Sequence, residues 1–414
     1  MSEWRKLPLK EITVKIGSGS TPTGGSGAYK ETGVSLIRSQ NVLDFSFTNN
    51  GLAFIDEEQA HALRNVIVEP QDVLLNITGD SVARCCSAPR EWLPARVNQH
   101  VAIIRANPKH LDSLFLKYSL ISIKDELLSL SEIGGTRNAL TKSMLENLKL
   151  FVPSVIEQKA IASVLSSLDD KIDLLHRQNK TLESMAETLF RQWFIEETHA
   201  DWEITTLDCH ITVAKGLSYK GAGLTTSDNG IPLFSLNSVL EGGGYKSAGI
   251  KYYNGDFKER HIIKPGDIIV ANTEQGHEYR LIGYPAIIPK TESELSIYTH
   301  HLFKISINDD SYLTNAFLYY LLCSKDMHEQ VVAATNGSTV NQLSADGLQR
   351  PEFKLPPECM VKEFTTQIDF FWKKISINNS QIKNIESLRD TLLPKLMSGE
   401  VRVQYAEEAI ASVA

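Results

Sequence analysis

The sequence is short of cysteine and of long apolar runs. Among 414 residues there are five cysteines, and because only Cys85 and Cys86 are neighbours, they match neither a disulfide framework nor metal-ligand spacing. No stretch approaches the roughly 18 apolar residues of a membrane helix. The opening residues, MSEWRKLPLK, lack the apolar centre of a signal peptide. We therefore expect a cytoplasmic protein with no membrane segment.

Motifs for cofactor binding and catalysis are missing as well. The glycine-rich run GSGSTPTGGSG at residues 17–27 does not end in Gly-Lys-Ser/Thr, as a P-loop does, so we interpret it as a flexible surface loop. Nucleophile elbows and H-E-x-x-H motifs are absent too. A stand-alone enzyme is disfavoured, and we expect this chain to carry no catalytic residue, metal or cofactor.

The histidines at equivalent places, His100 in the first half and His300-His301 in the second, suggest a metal site only weakly. Adjacent residues on a strand point to opposite faces, so His300 and His301 are not expected to chelate one ion. A packed or hydrogen-bonded role is the commoner one for such histidines.

The net charge of −8 argues mildly against a nucleic-acid partner, since phosphate-binding domains are usually basic. The acidic residues are unevenly spread, however. Residues 1–150 hold 17 Lys and Arg against 16 Asp and Glu, so local positive patches remain possible.

A heptad pattern predicts a long helix over residues 156–194, and the same pattern returns 203 residues later. The first stripe is Ile161, Leu165, Leu168, Ile172, Leu175, Asn179, Leu182, Ala186, Leu189 and Trp193. The second is Phe364, Ile368, Phe371, Ile375, Asn378, Ile382, Ile385, Arg389, Leu392 and Leu396. Thirty-five residues of helix extend roughly 50 Å. Asn179 and Asn378 either fix the register of the seam or are merely tolerated there.

Similar sequences precede both helices, so the chain is read as a duplication. GVSLIRSQNVL from Gly33 matches GIPLFSLNSVL from Gly230, and each predicts a strand followed by a polar turn. The expected fold class is α+β: two mixed α/β domains separated by a pair of long antiparallel coiled-coil helices, with a pseudo-two-fold internal repeat. The predicted boundaries are residues 1–153, 154–197 (first helix), 198–356, 357–400 (second helix) and a tail at 401–414.

Polar loops at strand ends recur in both halves and have the residue types that read base edges. Arg suits guanine, Asn and Gln suit adenine, and carboxylates suit cytosine. An ordinary loop role is the alternative for each of them. The candidates in the first half are Arg38, Ser39, Gln40, Asn41, Thr78, Asp80, Ser81, Arg84, Asn98, Gln99 and His100. Those in the second half are Ser235, Asn237, Asn272, Thr273, Glu274, Gln275, His277, Tyr279 and Arg280.

Two further loops, GGTRN at residues 134–138 and NGSTVN at residues 336–341, precede short helices expected to start near Thr141 and Ser344. A glycine turn followed by an N-cap is the favoured role, and contact with DNA is the alternative.

The whole chain resembles the specificity subunit of type I restriction-modification systems. The most specific elements are GGTRNALTKSMLENLKLFVPSVIEQKAIASVL and its second copy NGSTVNQLSADGLQRPEFKLPPECMVKEFTTQI, with PGDIIVAN and SLRDTLLPKLMSGEVRV in support. The copies depart from the family pattern at Pro70-Gln71-Asp72, where Gly is usual, and at Cys359-Met360-Val361, where Glu-Gln is typical.

The resemblance implies two target-recognition domains, residues 1–153 and 198–356, each reading one half of a bipartite, asymmetric DNA target. It also implies that the helices set the spacer and dock two methyltransferase subunits, which bind S-adenosylmethionine, and that restriction and translocase subunits join the complex. The alternative hypothesis is a bivalent protein-interaction scaffold with a coiled-coil spacer. Charged outer faces of the first helix, such as those with Arg177 and Glu187, are expected by default to be solvated. A partner interface on these faces is implied by the resemblance alone.

Overall fold

The computed structural model describes residues 4–132, 138–246, 249–276, 278–290, 293–337 and 340–403. The chain divides into two compact units. Unit 1 comprises Met1–Arg177 and Asn378–Ala414, and unit 2 comprises Gln178–Ile377. Each unit therefore contains the beginning of one long helix and the end of the other. The sequence-based boundaries, which treat the helices as separate segments, remain a prediction.

The described residues of unit 1 form ten strands in three sheets. The sheet orders are β2-β9-β6-β7, β4-β3-β8-β5 and β1-β10, and β3 and β8 run parallel. The strands are β1 Arg5–Pro8, β2 Thr13–Ser18, β3 Val34–Ile37, β4 Ala53–Ile55, β5 Ile67–Val68, β6 Val73–Asn76, β7 Cys85–Ser87, β8 Ala95–Val97, β9 Val101–Ala106 and β10 Lys149–Val152. The helices that precede the long one are α1 Leu9–Ile12, α2 Glu57–Ala62, α3 Ser113–Ser122, α4 Lys124–Glu132 and α5 Lys142–Asn147.

Unit 2 repeats this topology with additions. Its sheets run β12-β21-β17-β19, β13-β15-β14-β20-β16, β11-β23 and β18-β22, and β14 and β20 form the parallel pair. The strands are β11 Ile204–Thr206, β12 Ile211–Lys215, β13 Leu224–Thr225, β14 Ile231–Phe234, β15 Lys251–Tyr253, β16 Ile262–Ile263, β17 Ile268–Ala271, β18 Thr273–Gln275, β19 Pro285–Ile287, β20 Ser296–Tyr298, β21 Leu302–Ile307, β22 Val340–Gln342 and β23 Glu352–Lys354. The short helices are α7 Asn315–Cys323, α8 Lys325–Ala333 and α9 Ala345–Gln349. The internal repeat is thus confirmed strand by strand.

The two long helices are α6, Val155–Arg191, continued by a π-helical turn at Gln192–Glu196, and α10, Glu358–Met397. All seam positions predicted from the heptads are buried or half-buried. In unit 1 the apolar stripe of α6 joins Ile382, Leu392 and Leu396 of α10 in one core. In unit 2 the end of α6 joins Phe364 and Ile368. Seam burial at this spacing is the packing that the coiled-coil pattern predicts. Among the described residues no helix is long and apolar enough to cross a membrane.

The seam also contains one buried ionic cluster. In unit 1 the carboxylate of Asp169 accepts hydrogen bonds from Lys117 Nζ at 3.0 Å, Tyr118 Oη at 2.6 Å and Arg389 Nη1 at 3.1 Å. The guanidinium of Arg389 lies 3.6 Å from the ring centroid of Phe45. Burial first, and then the charge of Asp169, raises the pKa of Tyr118. This cluster ties α3 and α6 to α10 within unit 1.

Candidate nucleic-acid interface

Three polar loops meet at one edge of unit 1. They follow β3, connect β6 to β7, and form the turn from β8 to β9. The backbone N–H of Asn98 donates to Ile37 O at 3.0 Å, and that of Ile77 donates to His100 O at 2.9 Å. The side-chain amide of Asn76 donates to Ser39 O at 2.9 Å. The sequence clusters predicted to act together therefore lie together in the fold.

The first loop, after β3, is held by Asn41. Its side chain is fully buried, and its Nδ2 donates to the carbonyls of Thr48 at 3.0 Å and Asn50 at 3.2 Å. Arg38 and Gln40 both donate to Gly51 O, the latter at 3.1 Å. The polar atoms of Asn41 thus face the protein. Gln40 is exposed, whereas Ser39 and Arg38 are half-buried.

The second and third loops are joined by a hydrogen bond between Thr78 Oγ1 and His100 Nδ1. Asn98 is buried, and its Oδ1 accepts the backbone N–H of His100 at 3.0 Å. Gln99 is exposed, and its amide oxygen accepts a hydrogen bond from Thr21. The glycine-rich run that contains Thr21 therefore borders this edge.

The hairpin between β6 and β7 carries the remaining candidates of unit 1. Asp80 is exposed, and Ser81 and Arg84 are half-buried. The hairpin turns through Ala83, which has φ of 69°, and the N–H of Ala83 donates to Asn76 O at 2.9 Å. Asp80, Ser81 and Arg84 therefore project from one short, hydrogen-bonded loop.

Unit 2 assembles the same edge with different side chains. Ser235 is buried, and its Oγ donates to Gly249 O at 3.0 Å. Asn237 is exposed, and its Oδ1 accepts from Lys246 Nζ at 3.1 Å. Asn272 is buried and donates to His300 O at 3.0 Å. Asn237 is thus the member of this group that faces solvent.

Glu274 organises the longer hairpin of unit 2. Its carboxylate accepts the backbone N–H groups of Arg280 and Leu281, each at 3.0 Å, and of Ile282 at 2.9 Å. A carboxylate that accepts three N–H donors uses most of its acceptor capacity to shape the loop, which leaves little for a hydrogen bond from the amino group of cytosine. The side chain of Arg280 is exposed and lies 3.0 Å from Glu278.

The tip of this hairpin contains the last candidates. Gln275 is exposed, and Tyr279 is half-buried with φ of 50°. His277 lies outside the described residues. The neighbouring strand β22 supplies Asn341, which is buried and donates to Gly276 O.

A threonine–histidine contact recurs in both units, and the sequence-based candidates include both of its residues only in unit 1. Thr273 Oγ1 lies 3.0 Å from His301 Nδ1, as Thr78 lies against His100 in unit 1. His301 was not among the predicted site residues. The signal was present, because the two halves align His100 with His301 at the residue before the strands β9 and β21.

The expected geometry of His300 and His301 was wrong. The two residues form a turn before β21 rather than part of a strand, and their ring centroids lie 3.9 Å apart. Alternation of side chains applies only to extended backbone, so it does not separate these rings. Within the described part of the chain, no three His, Cys, Asp or Glu residues are grouped as metal ligands.

The two glycine loops before α5 and α9 have the expected caps. Thr141 Oγ1 accepts the N–H of Met144 at 3.2 Å, and Ser344 Oγ accepts that of Gly347 at 2.9 Å. Gly337 has φ of 123°, a conformation that favours glycine. Residues 134–137 and 338–339 lie outside the described residues, so their contact with DNA stays a prediction.

The vicinal thiols of Cys85 and Cys86 are buried in the core of unit 1. Both side chains are fully buried, and burial raises the pKa of Cys86 to about 12. A thiol with so high a pKa is a poor nucleophile at neutral pH. The edge instead offers hydrogen-bond donors and acceptors, so the chemistry it supports is recognition.

The fold, with one polar edge in each unit and two long helices, defines a binding protein with an internal duplication. Residues 1–184 match the family described as the type I restriction modification DNA specificity domain. The chain is 26% identical to the type I restriction enzyme MjaIX specificity subunit of Methanocaldococcus jannaschii, over 97% of this chain and 94% of that protein. It is 21% identical to the StySPI specificity subunit of Salmonella potsdam, over 97% of this chain and 92% of that protein.

The fold is also found in a solved structure. The S subunit of a type I restriction-modification system from M. genitalium superposes with a TM-score of 0.57 at 14% sequence identity, over 95% of this chain and 96% of that one. Residues 1–184 thus match the DNA specificity domain of this family, and the chain is similar to type I restriction enzyme specificity subunits over almost its full length.

Proposed function

We propose that the chain is a non-catalytic specificity subunit that reads a bipartite, asymmetric DNA target, one half with each unit. The observation that carries this proposal is the repeated edge: three loops converge at the ends of equivalent strands in both units. Exposed polar residues there differ between the units, namely Gln40, Asp80 and Gln99 in unit 1 against Asn237, Gln275 and Arg280 in unit 2. Different polar side chains on one frame suit an asymmetric target, since base edges are read by such groups.

The buried members of the predicted set hold the loops in this proposal. Their side chains form hydrogen bonds within the protein, and these residues are Asn41, Asn98, Ser235 and Asn272. They fix the positions of the neighbouring exposed residues. Positioning matters because base contacts require donors and acceptors at fixed distances.

Partner subunits complete the complex. DNA and other subunits of a restriction-modification system are the partners that fit this family, and catalysis belongs to those subunits. We place two methyltransferase subunits on the long helices, with S-adenosylmethionine bound there rather than here, and restriction and translocase subunits joining them in the cytoplasm. The helices expose large apolar side chains that suit docking, Leu174 and Met185 on α6 and Phe370 and Ile377 on α10, at 42 to 65% exposure.

The test is to co-purify the chain with its methyltransferase subunits, methylate a library of random-sequence DNA and map the modified sites. The expected result is two short consensus sequences separated by a fixed, unread spacer. Methylation without a bipartite consensus would overturn the proposal. Specific capture of peptides by the isolated chain, with no DNA specificity in the complex, would favour the scaffold hypothesis instead.

A further inference from the structure

The turn formed by Thr299, His300 and His301 in unit 2 is crossed closely by another segment. The segment leaves β12 at Lys215 and continues through Gly216 to Leu217. Leu217 N donates to Tyr298 O at 2.8 Å, and His300 N donates to Leu217 O at 2.9 Å. A Cβ on Gly216 would lie 2.3 Å from Thr299 O, so only glycine allows this approach. The segment that carries Lys215 is therefore fixed against the histidine turn.

Basic side chains collect around this turn. Lys215 and Lys251 are exposed, and His300 and His301 are half-buried. Burial first, and then the charges of His300, Lys215 and Lys251, lower the pKa of His301. Lys251 Nζ lies 3.0 Å from the hydroxyl of Tyr219 and 5.5 Å from the centre of its ring. We call Lys215, Lys251, His300 and His301 the basic cluster.

Among the described residues, the lysines of the basic cluster have no acidic partner. Across the described residues, neither Lys215 nor Lys251 forms an ion pair with a carboxylate, whereas Lys304 of the same unit pairs with Asp267 at 2.9 Å. Their positive charge is thus available to an anion from solution.

Strand register shows what unit 1 has at the same positions. Lys215 pairs with the second residue of β21, and Ser18 pairs with the second residue of β9. Lys251 pairs with Leu233, and Ala53 pairs with Leu36, each one residue before the end of its parallel strand. His300 corresponds to Gln99. Three of the four positions are therefore neutral in unit 1, so the shared frame does not require positive charge there.

We propose that the basic cluster of unit 2 is a phosphate-binding site that grips the DNA backbone beside the base-reading loops. This inference rests on the proposed function, because it takes the occupant to be DNA. The location favours DNA, because the cluster adjoins residues predicted to contact bases. His301 is hydrogen-bonded to Thr273. Lys246, another exposed lysine, donates a hydrogen bond to Asn237. Ammonium groups beside a reading loop are the usual phosphate contacts, which position the protein without specifying sequence.

The test replaces the two lysines by the residues of unit 1, Lys215→Ser together with Lys251→Ala, in the complex with methyltransferase subunits. The probe is a duplex carrying the mapped consensus, titrated by fluorescence anisotropy over a range of salt concentrations. Each lost phosphate contact reduces the slope of log K against log salt by about 0.9. We expect a reduction of about 1 to 2, with the consensus unchanged.

The matched control is Lys264→Ala. Lys264 is an exposed lysine three residues before Asp267, so it precedes β17, whereas the reading residues Asn272 and Thr273 follow that strand. The Lys264→Ala substitution removes one charge at the end of β17 that lies away from Asn272 and Thr273. The slope of log K against log salt should therefore stay at the wild-type value. A second probe replaces the phosphates of each half-site in turn by neutral methylphosphonates. Neutralising one half-site should weaken wild-type binding and have a smaller effect on the double variant.

The outcomes separate the two ideas. If the wild-type complex binds its consensus and the double variant keeps the full salt slope, the phosphate site is wrong and the proposed function stands. If the wild-type complex shows no consensus, the proposed function fails first. An equal loss of slope in the Lys264 variant would also overturn the basic cluster, because the effect would then be net charge alone.

Discussion

The two units share one topology, but equivalent positions in them carry opposite kinds of side chain. At the helix seam of unit 1, Asp169 meets Lys117 and Arg389; at the matching position, 203 residues on, unit 2 has Trp372, packed with Tyr320 at 6.4 Å between ring centroids. Gln158, fully buried with three hydrogen bonds, corresponds to the buried Val361. The frame therefore tolerates a polar or an apolar junction, provided that each buried polar group is paired.

The reading edges differ in the opposite direction. There unit 1 has neutral groups at Ser18, Ala53 and Gln99, while unit 2 has Lys215, Lys251 and His300. Charge is thus buried in the core of unit 1 and displayed at the surface of unit 2. Such divergence on a constant topology is what two readers of unlike DNA halves require.

The largest effect should come from exchanging a whole reader. Replacing residues 1–153 by the corresponding domain of another specificity subunit should change one half of the mapped consensus completely and leave the other half intact. Methylation mapping of the chimeric complex measures this. The reciprocal exchange of residues 198–356 is the control, and a chimera in which both halves change would contradict independent reading.

The ionic junction of unit 1 should be the most sensitive point of its core. Asp169→Ala leaves the buried ammonium of Lys117 without a counter-charge and leaves Arg389 only its pair with the exposed Asp390. Loss of one partner of a buried pair costs about 3–5 kcal/mol. Hydrogen exchange resolved by segment should show deprotection of α3 and the neighbouring strands of unit 1.

Asp173→Ala is the matched control on the same helix, because its pair with Arg177 is 65 and 69% exposed and such pairs contribute little. Deprotection spread equally over unit 2 would contradict a local role for Asp169.

The hairpin of unit 2 should respond more weakly. Glu274→Ala removes the acceptor of three backbone N–H groups, and because this hairpin borders solvent we expect a local loss of about 1.5–3 kcal/mol. Affinity for the half-site read by unit 2 should fall, and contacts to the other half should persist in footprinting. Gln275→Ala, at the exposed neighbour, should alter base preference without loosening the loop. Unchanged exchange at residues 280–282 in the Glu274 variant would contradict this role.

Local sequence patterns were enough to predict most of the fold and part of the candidate interface. Heptads and alternating strands repeat in the sequence, so both long helices and the matched strands could be predicted. Side-chain direction in the loops could not be predicted from residue type. Asn41 is fully buried, whereas Asn237, which aligns with the exposed Gln40, is exposed. The Asp169 cluster was equally hidden, since Lys117 lies 52 residues away and only the packing of α3 on α6 brings them together.

The smallest expected effect is a loss of stability in unit 2 at acid pH. In unit 2, burial is the first cause that lowers the pKa of His210, His261, His301 and His328. A lowered pKa means that the folded state binds fewer protons than the unfolded state, whose histidines titrate near 6.5. Stability from these groups is therefore complete above about pH 6.5 and is lost as pH falls through that value toward the lowered pKa.

From pH 7 to pH 5 we expect unit 2 to lose stability, mainly through the two buried histidines, His210 and His261. Segment-resolved hydrogen exchange, corrected for the intrinsic effect of pH, measures this. The double variant His210→Asn, His261→Gln should flatten the profile even if it lowers stability overall. A steeper profile in that variant would show that carboxylates, rather than histidines, set the acid response. His301 adds a second readout, because a bound phosphate favours its protonated form. DNA affinity at the unit 2 half-site should therefore rise as the pH falls from 7 to 5. Unit 2 becomes less stable over the same range.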